Sequence, residues 1–404
     1  MLRLLATTAL LFAGHAHAQM FIDDATVVQD GQRTTMDVLI AEDGLVTMEA
    51  EMAPPSGATL MEGNWVTPGL FVPFSRVGLV DIGLEASTND TRAEDAETSV
   101  ANRAADAFNS KGVAVGNSRV EGIAYIATVP GSAGTVFDGT GSIVDTTGSF
   151  DSVVVEDAFI VTNLGEGSKS VAGGSRSAAM AQLREALNDA QRVSANSDPD
   201  FGNVLTPRDA RQLRLALTGD IPLVVGADRA ADILRVLALK DDYPSLDLII
   251  LGAAEAWQVA DRIAAAGAKV MIDPHDNLHS TFESVGARID NAVLLDRAGV
   301  PFAFTTATAD LTHNVRVLPQ HAGNAVGEGL SWDKAFAAIS TTPAEWFGVD
   351  ADSLVVWSGD PLEVTSNAVA MYINGERVPL RSRQTALRDR YNPLNTDTRA
   401  HKYR

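Results

Sequence analysis

Residues 221–274 read IPLVVGADRAADILRVLALKDDYPSLDLIILGAAEAWQVADRIAAAGAKVMIDP, and their rhythm decides the fold. The apolar runs PLVV (222–225), LDLIIL (246–251) and KVMID (269–273), with VPFAFTT (300–306) further on, each open onto an amphipathic stretch such as AADILRVLAL or AAEAWQVADRIAAAG. The runs are short, apolar and rich in branched residues, as buried strands are; the stretches between them repeat apolar residues at helical spacing. Four βα units in series predict parallel strands joined by right-handed crossovers. A repeat of about 25 to 30 residues suits the last half of a (β/α)₈ barrel.

Outward from this block the pattern changes. Residues 21–66 carry short β-rich runs, ATVV and TTMDVLI, separated by the Asp-Gly turns of QDGQ and AEDGL. Near the other end SLVVW (353–357) and AVAMYING (368–375) have the same character, so the two pieces are expected to join across the intervening chain. The first half of the middle segment is less regular. GSAGTVFDGTGSIVD (131–145) reads as a Gly-rich loop flanked by strand-like segments, and GGSRSAAMAQLREALNDAQR (173–192) as a helix opened by Gly-Gly-Ser. No Lys-Ser/Thr follows the Gly-rich segment and no helix starts there, which argues against a phosphate cradle.

The first eighteen residues, MLRLLATTALLFAGHAHA, set one Arg before an apolar run and close on Ala16-His17-Ala18, a pattern expected of an export signal cut near Ala18. The expected address is the periplasm or the outside of the cell. No later stretch has the length of a membrane helix. The chain has 404 residues and no cysteine, which rules out disulfides, thiolate nucleophiles and Cys-based zinc sites together. Stability must then come from a large core. The formal charge of −21 argues against nucleic acid or an anionic membrane as partner.

Three phrases, in order, resemble the amidohydrolase superfamily, in particular its exported imidazolonepropionase-like and dihydroorotase-like members. They are WVTPGL (65–70), GLSWDKAFAAISTTPAEWFGV (329–349) and ADSLVVWSGDPLEVTSNAVAMYINGERV (351–378). The resemblance implies a (β/α)₈ barrel at 67–349, a composite β-sandwich from 19–66 with 350–384, and a tail at 385–404. It also implies hydrolysis of C–N bonds by one or two metal ions held at the C-terminal ends of the barrel strands.

The ligand positions that the resemblance implies are vacant. Where relatives carry His-x-His on the first strand, this chain has Phe74 and Arg76. The strand-five position falls on Gly226, the strand-six position on Leu251 or Gly252, and the strand-eight Asp near Ala307. Phe offers no lone pair, and a guanidinium is permanently charged and repels a cation. Arg76 and Asp228 are expected to face the old pocket, either as an ion pair or as binders of a carboxylate-bearing ligand. A rebuilt site could draw on His275, His279, Asp310 and His313 beyond strands seven and eight; zinc enters only under that alternative. His321 and His401 are given no role. No Gly-x-Ser-x-Gly elbow occurs, which argues against a serine hydrolase. The expectation is a non-catalytic protein that binds a small amide or peptide-like ligand or pairs with an active relative or with itself; the alternative is an active amidohydrolase with a remodelled metal site.

Overall fold

The computed structural model describes residues 19–392, except 30, 42, 94–95, 132–133, 194–203, 279–280 and 308–309. The proposed export signal, His279 and His401 therefore lie outside the described residues. The chain opens with strands β1 (Met20–Gln29), β2 (Gln32–Ile40), β3 (Val46–Glu49), β4 (Thr59–Glu62) and β5 (Trp65–Thr67). It continues through β6 (Leu70–Ser75), β7 (Ile123–Thr128), β8 (Phe137–Asp145), β9 (Val153–Asn163), β10 (Leu223–Ala227), β11 (Leu248–Gly252), β12 (Lys269–Ile272) and β13 (Phe302–Phe304). It closes with β14 (Ser353–Trp357), β15 (Ala368–Ile373) and β16 (Glu376–Val378).

The two ends of the chain form one sheet, in the order β16-β15-β14-β5-β1-β2-β3, with β4 beside β1. The join is antiparallel, Val356 opposite Val66 and Trp357 opposite Trp65. Trp357 Nε1 donates to Thr67 Oγ1 at 2.9 Å, and Asn64 Nδ2 donates to the Trp357 carbonyl at 2.7 Å. The sheet buries its own apolar face, including Ile22, Val38, Ile40, Val66 and Val356, separately from the main core. It curls until two hairpin tips touch: a Cβ on Gly44 would lie 1.7 Å from the Gly375 carbonyl oxygen, and Gly44 has φ +79°. Only glycine meets both demands.

The second sheet is the barrel, with eight strands in the order β6 to β13. From β9 to β13 each neighbour is parallel, as the alternation predicts. These strands are apolar without alternation because helices cover one face and the barrel interior the other; all of β10 is buried. The seam between β13 and β6 is bridged by the chain after the helix Trp332–Ala337: Phe304 N donates to the Ala338 carbonyl at 3.0 Å and Phe71 N to the Ile339 carbonyl at 2.7 Å. Phe71, Tyr125, Phe159 and Phe347 meet in a chain of ring contacts in the main core.

The first half corrects one reading. The Gly-rich stretch 131–145 is not simply a loop: its larger part is β8, antiparallel to both β7 and β9. The connections 129–136 and 146–152 are too short to carry crossover helices, so the strand between them must reverse. Gly141 is there for space, since a Cβ would sit 2.1 Å from the Phe159 ring. Composition alone misreads such a strand because its glycines, which normally mark turns, here admit a neighbouring aromatic ring.

Candidate functional site

In a barrel of this kind the loops beyond the C-terminal strand ends form the working rim. Here β6 delivers Arg76 to that rim, β9 delivers Asn163, β10 Asp228, β11 Gly252 and β12 Asp273. Because β8 runs the other way, its beginning, Phe137-Asp138, arrives at the same rim.

Around Arg76 the rim opens into a cavity of about 300 Å³. Arg92, Asp138, Asn163, Ser168 and Thr135 line it, with Gly131 and Thr91 at the side. Arg76 is fixed through its backbone, whose N–H donates to the Leu311 carbonyl at 2.7 Å. Its guanidinium lies against Gly131: a Cβ there would be 3.2 Å from Cζ and Nη2. The Nε of Arg76 is buried without an acceptor. Burial pushes the Asp138 carboxyl up to about 6, while the positive charge of Arg76 pulls in the opposite direction. Arg76 thus acts on Asp138 electrostatically; no ion pair with Asp228 is among those of the described residues.

Across the rim, Gly226 and Gly252 each have a neighbouring side chain packed close. Asn163 lies over Gly226, where a Cβ would be 3.1 Å from Asn163 Cγ. The Asn163 amide is held there because its Oδ1 accepts from Gly165 N at 2.8 Å. At Gly252 a Cβ would come within 2.5 Å of Asp228 Oδ1, and φ is +88°, which disfavours any side chain. Asp228 itself is raised to about 6, first by burial and then by Glu283, Asp276 and Glu255, against the N–H of Ala254, which lowers it. Glu283 is committed elsewhere, accepting from Glu166 N at 2.7 and 2.8 Å and from Arg176 Nη2 at 2.9 Å. Glu255 accepts from Ala230 N at 2.9 Å, at the start of the helix Ala230–Leu237.

The remaining residues singled out in the sequence scatter. Phe74 is buried in the main core, Leu251 packs partly buried against it, and Ala307 is exposed. His275 is exposed, with Nδ1 3.4 Å from Asn324 Nδ2. Asp310 is spent on its own turn, accepting from Thr312 N at 2.6 Å and Thr312 Oγ1 at 2.7 Å. His313 begins a short 3₁₀ turn, His313–Val317. Among the described residues no three His, Asp or Glu side chains form a group able to hold a metal ion. The side chains of Phe74, Arg76, Gly226, Leu251, Gly252 and Ala307, the positions that the resemblance sets for the family's ligands, offer a metal ion no donor.

Two features escaped the sequence. His321 is buried in the helix Leu318–Gly327, its Nδ1 2.8 Å from Asp273 Oδ1 and its ring 5.2 Å from that of His275. Asp138 was hidden in the Gly-rich segment, and only the reversal of β8 brings it to the rim.

An eight-stranded α/β barrel joined to a curled sheet from both chain ends is the fold of the amidohydrolases. No family model matches the chain, and no curated protein matches it. The crystal structure of an amidohydrolase from Thermotoga maritima superposes over 90% of this chain and 100% of its own, with TM-score 0.77 and 21% identity. A prolidase crystallised with N-methylphosphonate-L-proline covers 89% of this chain and 99% of its own, at TM-score 0.51 and 13% identity. At such identities the likeness establishes the fold; function rests on the residues of the site.

Proposed function

We propose that this chain is an exported amidohydrolase-fold protein that has given up metal-dependent C–N hydrolysis and keeps the rim as a binding site for a small amide or peptide-like ligand. The observation that carries this reading is the donor-free set Phe74, Arg76, Gly226, Leu251 or Gly252, and Ala307, with no group of three His, Asp or Glu side chains able to hold a metal ion among the described residues. Asn163 packs close over Gly226, and the φ of +88° at Gly252 disfavours any side chain there. Hydrolysis in this fold needs a Lewis acid and a base acting on a bound water, and the inherited positions provide neither. The acidic surface and the proposed export suit a soluble protein acting alone, as a homo-oligomer or beside an active relative.

The test is turnover by the mature protein, made without a His tag and assayed with added zinc or manganese on a cyclic amide, an Xaa-Pro dipeptide and an N-acylated amino acid. The expected result is no hydrolysis above buffer. Turnover that a chelator abolishes and metal restores would contradict the reading.

A further inference from the structure

We infer that the cavity beside Arg76 takes a small carboxylate anion that also carries an N–H donor, the carboxylate on the Arg76 guanidinium and the donor on Asp138. The inference rests on the non-hydrolytic reading, and it names the ligand chemistry of that same site.

Three observations lead to it. First, Arg76 stands at the end of the first barrel strand with its guanidinium at the cavity wall, its Nε buried without an acceptor, and no hydrogen bond from the guanidinium to another described side chain. A guanidinium presents a planar fork of donors and no acceptor, and it matches a carboxylate in two parallel hydrogen bonds. Second, the guanidinium plane is held in place: the Gly131 backbone packs against it, and a Cβ at 131 would crowd Cζ at 3.2 Å and the Thr91 carbonyl oxygen at 2.9 Å. Third, Arg76 and Asp138 line one cavity, so a ligand there meets a fork of donors from one residue and an acceptor from the other.

Asp138 supplies the second half of the recognition. Its carboxylate shares the cavity with Arg76 and senses that charge. When ionised it can only accept hydrogen bonds, so it rejects a second carboxylate and favours an amide N–H or an ammonium. Asn163 and Ser168 add neutral polar atoms between the two charged ends. A ligand with one carboxylate and one nearby N–H satisfies both; a dicarboxylate or a plain amide satisfies only one.

Isothermal titration at pH 7.5 with N-acetylglycine, acetate and N-methylacetamide tests the assignment. N-acetylglycine is expected to bind at least about tenfold more tightly than either single-function probe. Arg76→Gln should remove the advantage of N-acetylglycine over N-methylacetamide, while Arg76→Lys, which keeps the charge and loses the fork, should retain part of it. Asp138→Ala should remove the advantage over acetate. Each variant is first checked for a cooperative melt like that of the parent. Acetate binding as tightly as N-acetylglycine, an unchanged affinity in folded Arg76→Gln, or no heat from any probe would overturn the ligand assignment and leave the non-hydrolytic reading in place. Metal-dependent release of acetate from N-acetylglycine would instead overturn that underlying reading, whatever the affinities.

Discussion

Between β10 and β13 the strands are parallel, and two of the inherited ligand positions, Gly226 and Gly252, are glycines with a neighbour's side chain pressed against them. Between β6 and β9 one strand is reversed, and the rim opens into a charged cavity around Arg76 and Asp138. The regular half keeps the architecture and, on the proposed reading, has lost the chemistry. The irregular half breaks the architecture and holds the space. On that reading regular repetition along the barrel marks scaffold, and the proposed site lies where the repetition fails.

The largest effect is expected from forcing an imidazole into the closed half. Gly252→His must adopt φ near +88° and meet Asp228 Oδ1 at 2.5 Å from its Cβ. A side chain in such a conformation costs about 1–3 kcal/mol before any clash is counted. Denaturant unfolding should show a loss of at least that size. A variant as stable as the parent would mean that the rim at strand six has room.

Neutralising the buried carboxylate of that half should have the opposite sign. Asp228 has a folded pKa of about 6, above its ordinary value of 3.8. Such a group contributes its full stability below the unfolded value and loses it as pH rises through the folded value. Asp228→Asn should therefore raise the melting temperature at pH 8, by about 1–2 °C for each kcal/mol relieved in a chain of this length, and the gain should vanish on acidification to pH 4. A gain that persists at pH 4 would show that charge is not its cause.

In the open half the same change should do about as much. Asp138 is also raised to about 6, the net of burial pushing it up and Arg76 pulling it down. Asp138→Asn should consequently give a rise at pH 8 similar to that of Asp228→Asn, measured in parallel melts, and Arg76→Gln should enlarge it. A rise unchanged by Arg76→Gln would remove the proposed influence of Arg76. The smallest effect expected is none: restoring His at both first-strand positions, Phe74→His with Arg76→His, should produce no zinc-dependent hydrolysis, because positions 226, 252 and 307 still offer no donor. Measurable turnover in that double variant would break the contrast between the halves.

The regular half was legible because periodicity reports burial on both faces of parallel strands, and runs such as LDLIIL and KVMID carry that signal within a few residues. The joining of SLVVW and AVAMYING to the N-terminal strands was legible for a related reason, since short β-rich pieces at both ends need partners. Phe74 and Arg76 could be recognised as non-ligands from their side-chain chemistry alone. Three things could not be read. Gly139 and Gly141 make β8 look like a loop, so the reversal that carries Asp138 to the rim was hidden. The crowding at Gly226 comes from Asn163, distant in sequence, and a glycine in the sequence does not show which side chain will pack over it. His321 looked like a helix residue without consequence because its partner, Asp273, lies on another element.

Metal content tests the central claim most directly. The mature protein, purified without a His tag or chelator, should carry far less than one equivalent of zinc, manganese or iron by elemental analysis. Added zinc should leave its melting temperature nearly unchanged, since a ligand stabilises only through its preference for the folded state. Near-stoichiometric metal that disappears on replacing His275, His279, Asp310 or His313 would contradict the account and establish a rebuilt catalytic centre in its place.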